Sequence, residues 1–108
     1  MQRKSYKLGF KIDGIPLDDL ELKLIACYCM GLDNKEISGI LRYRTTYLCN
    51  IACRLYAILG TGSSPQSLAR KGRANGFDDC GKFKGKPVLD AKELSRLEKI
   101  APRLLAEI

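Results

Sequence analysis

Residues 17–41, LDDLELKLIACYCMGLDNKEISGIL, decide how the rest of the chain is read. Asp18 is placed to cap a helix over residues 18–30, with Asp19 and Glu21 adding negative charge to the first turn, where the helix dipole favours it. Leu17, Leu20, Leu24, Cys27 and Tyr28 share one face of that helix, while Leu22, Ile25 and Cys29 form a stripe roughly opposite. Such a helix must be covered on both sides. Gly31 ends it, and Asp33 and Glu36 in DNKE have the spacing of a capping box for a short second helix through Leu41, with Ile37 and Leu41 on its buried face. Gly39 lies inside this second helix and weakens it by about 1 kcal/mol relative to alanine.

Downstream, Arg42-Tyr43-Arg44 reads as a tight interhelical turn, with Thr45 or Thr46 capping the next helix. Leu48, Ala52, Leu55 and Leu59 recur at helical spacing and predict a third helix over 46–59, closed by Gly60. After the loop TGSSP, Ser64 and Pro65 open a fourth helix over 65–74 that carries Arg70, Lys71 and Arg73. Upstream, Tyr6, Leu8, Phe10 and Ile12 alternate with polar or small residues, the period of a half-buried strand over 5–12, which DGIP at 13–16 closes. In 77–87, Lys82, Lys84 and Lys86 alternate around Phe83, which predicts a linker or a short edge strand, with residues 82–88 available to form a small hairpin with the N-terminal strand. A last helix begins near Asp90, where Leu94, Leu97, Ala101, Leu104 and Ile108 follow a heptad seam that Pro102 should break near 98–101. The expected fold is mainly α, with an N-terminal strand or arm (1–16), a four-helix core (17–77) and a linker with a C-terminal interaction helix (78–108).

Composition narrows the function classes. The chain has 108 residues, with 19 Lys+Arg against 12 Asp+Glu and a formal net charge of +7, enough to draw it toward a polyanion, nucleic acid first. No apolar run reaches bilayer length and the N-terminus has no signal-peptide h-region, so a cytoplasmic protein is expected, one without a membrane partner. Five cysteines, an odd number, suit a reducing compartment better than a disulfide framework. The absence of histidine, of a Gly-rich phosphate loop and of a nucleophile–base pair argues against an enzyme, and no cofactor is expected.

The quoted stretch resembles the opening of LuxR/GerE-type DNA-binding domains. The matching residues are Leu17, Asp18, Glu21, Leu24, Ile25, Gly31, Leu32, Asn34, Lys35, Glu36, Ile37 and Leu41, and the pattern runs without a gap to Leu59-Gly60 and into SSPQSLARKGRANG, covering roughly 17–77. The resemblance implies a helix-turn-helix in a four-helix domain, with the third helix entering the DNA major groove and the fourth commonly forming a dimer contact. The chain departs from the family pattern where Tyr47-Leu48 replaces Thr-Val, Arg44 replaces a serine cap and Ile58 replaces a basic residue. Ile40 and Ile51 stand where polar residues are common and are expected to add exposed apolar surface.

Helical geometry independently turns Thr46, Tyr47, Asn50, Cys53, Arg54 and Ala57 outward. The candidate DNA contacts are Lys35, Arg42, Arg44, Thr45, Thr46, Tyr47, Asn50 and Arg54: Asn50 suits adenine, Arg54 suits guanine or phosphate, and Lys35, Arg42 and Arg44 suit phosphates. The expected function is sequence-specific binding of double-stranded DNA by a small bacterial transcription regulator, as a homodimer. The alternative is a protein-interaction module that engages another transcription regulator or RNA polymerase through Leu22, Ile25, Ile51, Leu94, Leu97 and Leu104. Leu94, Leu97 and Leu104 are the candidate dimer or partner interface. Cys27, Cys29, Cys49 and Cys53 lack the usual zinc-knuckle spacing, and Cys49 or Cys53 is open to a redox role.

Overall fold

Helix starts are fixed by side chains that accept otherwise orphaned backbone N–H groups. In the computed structural model, which describes residues 6–105 and the side chains of residues 11–104, three capping boxes do this: Asp18 with Glu21, Asp33 with Glu36 and Asp90 with Glu93. The elements in chain order are β1 (Tyr6–Ile12), β2 (Ile15–Asp18), α1 (Asp19–Cys29), α2 (Asn34–Leu41), α3 (Thr45–Leu59), α4 (Pro65–Asn75), β3 (Lys82–Phe83), β4 (Lys86–Pro87), α5 (Ala91–Ile100) and α6 (Pro102–Leu105). The protein is mainly helical, and among the described residues no helix is long and apolar enough to cross a membrane.

Helix α1 is buried around its circumference. Leu22 and every residue from Leu24 to Cys29 lie in the core, and α4, α3 and the first hairpin pack against it. The two apolar stripes of this helix thus serve the protein's own interior. The approach of α4 to α1 is close enough to require a residue without a side chain: a Cβ on Gly72 would lie 2.7 Å from Ile25 Cγ2 and 3.1 Å from the Phe77 ring. Cys29 Sγ and the Ala69 carbonyl meet in the same seam at 3.5 Å.

The strands pair otherwise than the alternation suggests. β1 pairs antiparallel with β2, not with 82–88, because Asp13 and Gly14 take the two successive positive φ values, 52° and 77°, of the tightest hairpin turn. Residues 15–18 therefore continue as a strand instead of merely ending one. β3 and β4 form a separate hairpin about Lys84-Gly85. The outward or inward placement of Tyr6, Leu8 and Phe10 lies outside the described side chains.

The C-terminal segment straps α2. Arg96 donates to the Ile40 carbonyl at the end of α2 (2.9 Å), Arg103 forks onto Glu36 at its start (2.9 and 3.1 Å), and Ile100 fills the space over Gly39. A second tie, Lys23 on α1, holds Glu93 of α5 and Asp19, each at 2.9 Å. Burial alone would lower the Lys23 pKa, and its bonds to Glu93 and Asp19 outweigh that, so the ammonium titrates above its usual value. The C-terminal heptad face is spent in part inside the fold: the helix breaks at Ala101, as Pro102 requires, and Leu97, a candidate interface residue, is a core residue together with Ala101. Leu104 packs against the core and Leu94 alone of the three candidate interface leucines is well exposed, while Ile108 lies outside the described residues. Leu22, Ile25, Ile40 and Ile51 are likewise buried, so they add no docking surface. The strap over α2 and the packing of α4 and α3 on α1 consume them.

Two outcomes are expected from this packing. Gly72→Ala should destabilise the protein by about 1–3 kcal/mol in urea unfolding, even though alanine is the better helix former, because the methyl collides with Ile25 and Phe77. The Arg103 bonds hold the Glu36 carboxyl below its usual pKa, so their contribution is complete above about pH 4.5 and is lost as pH falls through the depressed value. Arg103→Ala should therefore lower stability at pH 7 and leave it little changed on the acid side of that range.

Candidate nucleic-acid interface

Helices α2 and α3 touch each other and are joined by three residues, Arg42, Tyr43 and Arg44. The turn is made by Arg42 in the left-handed conformation (φ 65°, ψ 40°), and the Ser38 hydroxyl donates to the Tyr43 carbonyl across it. Neither Thr45 nor Thr46 caps α3. The N-cap is Arg44, whose side chain makes no capping bond, and the helix begins one residue earlier than the apolar period suggests. Thr45 and Thr46 thereby enter the first turn with both side chains exposed.

The inward side of α3 holds Leu48, Ile51, Ala52, Leu55 and Leu59, the four expected residues plus Ile51. Thr46, Tyr47, Asn50, Cys53, Arg54 and Ala57 are all exposed, as the helical period requires, and no described part of the chain covers them. Tyr47 stacks on Tyr43 with ring centroids 5.3 Å apart, which fixes an aromatic pair at the mouth of the turn.

Core residues position the edge of this face. Tyr28 on α1 donates to Asn34 Oδ1 (2.7 Å), and Asn34 Nδ2 donates to Cys49 Sγ (3.2 Å), a relay that links α1, α2 and α3. Burial pushes the Tyr28 phenol above its usual pKa, so it remains a donor at any ordinary pH. Arg54, which the helical period alone leaves free, has a partner. Its Nη2 lies 3.5 Å from Oε2 of Glu21, a carboxylate whose side chain is only 3% exposed and whose Oε1 also accepts the Asp18 N–H at 2.9 Å.

Charge is unevenly distributed along the chain. No carboxylate occurs between Glu36 and Asp78, an interval that holds Arg42, Arg44, Arg54, Arg70, Lys71 and Arg73, so six of the seven net positive charges arise there. This gap is legible without coordinates and is a stronger signal than total charge. Three of the six are engaged: Arg54 as above, Lys71 with Asp13 at 2.7 Å, and Arg73 with Asp79 at 2.9 Å and the Cys29 carbonyl at 2.7 Å. Among the described residues Arg42, Arg44, Arg70 and Lys35 make no ion pair, and Lys35, Arg42 and Arg44 lie on α2 and in the turn after it.

The cysteines divide by environment. Cys27 and Cys29 are buried, and burial raises both thiols, Cys29 to about 11, which makes them inert. Cys49, Cys53 and Cys80 are exposed, and the described residues bring together no group of three or more potential metal ligands. Comparison with protein-family models, curated proteins and solved structures finds no match to this chain.

Because Arg54 balances a buried carboxylate, Arg54→Ala should cost about 1 kcal/mol of stability in urea unfolding, the partial exposure of the guanidinium keeping the figure low.

Proposed function

We propose that this chain binds double-stranded DNA as a transcription regulator, α2, the turn and α3 acting as a helix-turn-helix with α3 in the major groove. The observation that carries this reading is the pairing of an exposed α3 face with Lys35, Arg42 and Arg44, cations that make no ion pair among the described residues, the last two within the interval free of carboxylates. Those three side chains lie outside α3 and suit phosphate contacts, which set register without reading bases. The likeness of residues 17–77 to LuxR/GerE-type domains supports the same reading. Homodimerisation is part of the proposal, and half-sites about one helical turn apart would report it.

A protein-interaction role has one observation of its own, the exposure of Tyr43, Tyr47 and Ile58 at 44%, 48% and 45%. Binding of fluorescent random duplex as a function of salt separates the two. On the DNA reading, affinity falls steeply with salt, and each of Arg42→Ala and Arg44→Ala reduces the log–log slope by about 1 without shifting the unfolding midpoint. Absence of duplex binding at low salt would remove this reading and leave the interaction module.

A further inference from the structure

Resting on that DNA-binding reading, we propose that α3 selects A·T base pairs, with Asn50 reading adenine and Tyr47, Cys53 and Ala57 packing against thymine methyl groups. Each base has its own kind of reader in the major groove. Guanine is read by a free Arg or Lys fork, cytosine by a carboxylate, adenine by the Asn or Gln amide, and thymine by apolar contact with its C5 methyl.

The face is poor in readers of a G·C pair. Helix α3 contains no Lys, Asp or Glu, and its single arginine, Arg54, is drawn toward the buried carboxylate of Glu21. A guanidinium engaged by a carboxylate presents fewer donors to a base and loses a stabilising partner if it turns away. Arg42 and Arg44 precede the helix, in the turn and at its N-cap. They are placed for the backbone.

The readers of A·T are present and aligned. Tyr47, Asn50, Cys53 and Ala57 are exposed and recur at three- and four-residue spacing, hence on one side of the helix. From Tyr47 to Cys53 the axial rise is about 9 Å, within the width of the groove. Asn50 has no hydrogen-bond partner among the described residues, so its donor and acceptor are both available for the bidentate pair with adenine. The ring of Tyr47 is held against Tyr43, which limits its motion, and about half of the residue remains exposed.

The test is selection of bound sites from random duplex with the full chain, followed by replacement of each selected thymine with uracil, which removes the methyl group alone. Expected are A·T pairs at the positions that α3 protects, and about fourfold weaker binding for each contacted thymine so replaced. Tyr47→Ala should abolish the difference between thymine and uracil at the position that Tyr47 contacts and leave it at the others, and Asn50→Ala should relax the preference for adenine by about tenfold. Both residues are exposed, and an unchanged thermal midpoint would confirm that the fold is intact. Selection of G·C pairs at the protected positions, or equal binding of thymine and uracil sites, overturns the inference while leaving DNA binding in place. Failure to bind any duplex at low salt overturns the DNA reading and this inference with it.

Discussion

A helix with apolar residues on nearly every side cannot rest on a surface, and α1 imposes that constraint on everything else. To cover Ile25 and Cys29 the chain brings α4 across them, at a distance that only Gly72 permits. To cover the remaining side it uses the first hairpin, α3 and, through Lys23, the start of α5. The domain is in effect a wrap around one 11-residue rod. The surrounding elements each turn one apolar side inward to this rod or to one another, and their outer sides are left to carry charge.

The strap of α5 and α6 over α2 answers a second weakness. Helix α2 has eight residues and an internal glycine, too short and too poor in propensity to hold its position alone. Arg96 satisfies a carbonyl at one end, Arg103 grips Glu36 at the other, and Ile100 occupies the space over Gly39. What looks like a defect in the sequence is a socket in the structure. Part of the heptad seam of the C-terminal segment is therefore an internal packing surface, which consumes Leu97 and Ala101 and leaves Leu94 exposed.

How much of this is legible in the sequence depends on the range of the interaction concerned. Caps at Asp18, Asp33, Ser64 and Asp90 and the inward positions of α3 are local or periodic properties, and a few neighbouring residues determine them. Strand pairing is harder: Asp13-Gly14 carries a clear hairpin signal, but Pro16 beside it disguises Ile15–Asp18 as the end of a turn when it is the partner strand. The burial of Ile40 and Ile51 and the strapping role of the C-terminal segment depend on which elements meet in space. So does the contact of Arg54 with Glu21, 33 positions away along the chain, whose capping role gives no hint of a second partner.

That contact also explains why the exposed face of α3 and its surroundings combine two kinds of side chain. Arg42, Arg44 and Lys35 are long, exposed and without an ion pair among the described residues, which suits attraction to a uniformly charged backbone where precision of aim matters little. Tyr47, Cys49 and Arg54 are each held by a neighbour, a ring, an amide and a carboxylate respectively. Ordering a side chain at the moment of binding costs about 0.5–1.5 kcal/mol, so groups ordered already in the free protein lose less when a partner arrives. Discrimination between partners needs fixed geometry, and here the fixed groups surround Asn50, whose amide is left unengaged among the described residues. The buried helix thus reaches the surface through Tyr28 and Glu21, and the same residues that close the core set the aim of the face opposite it.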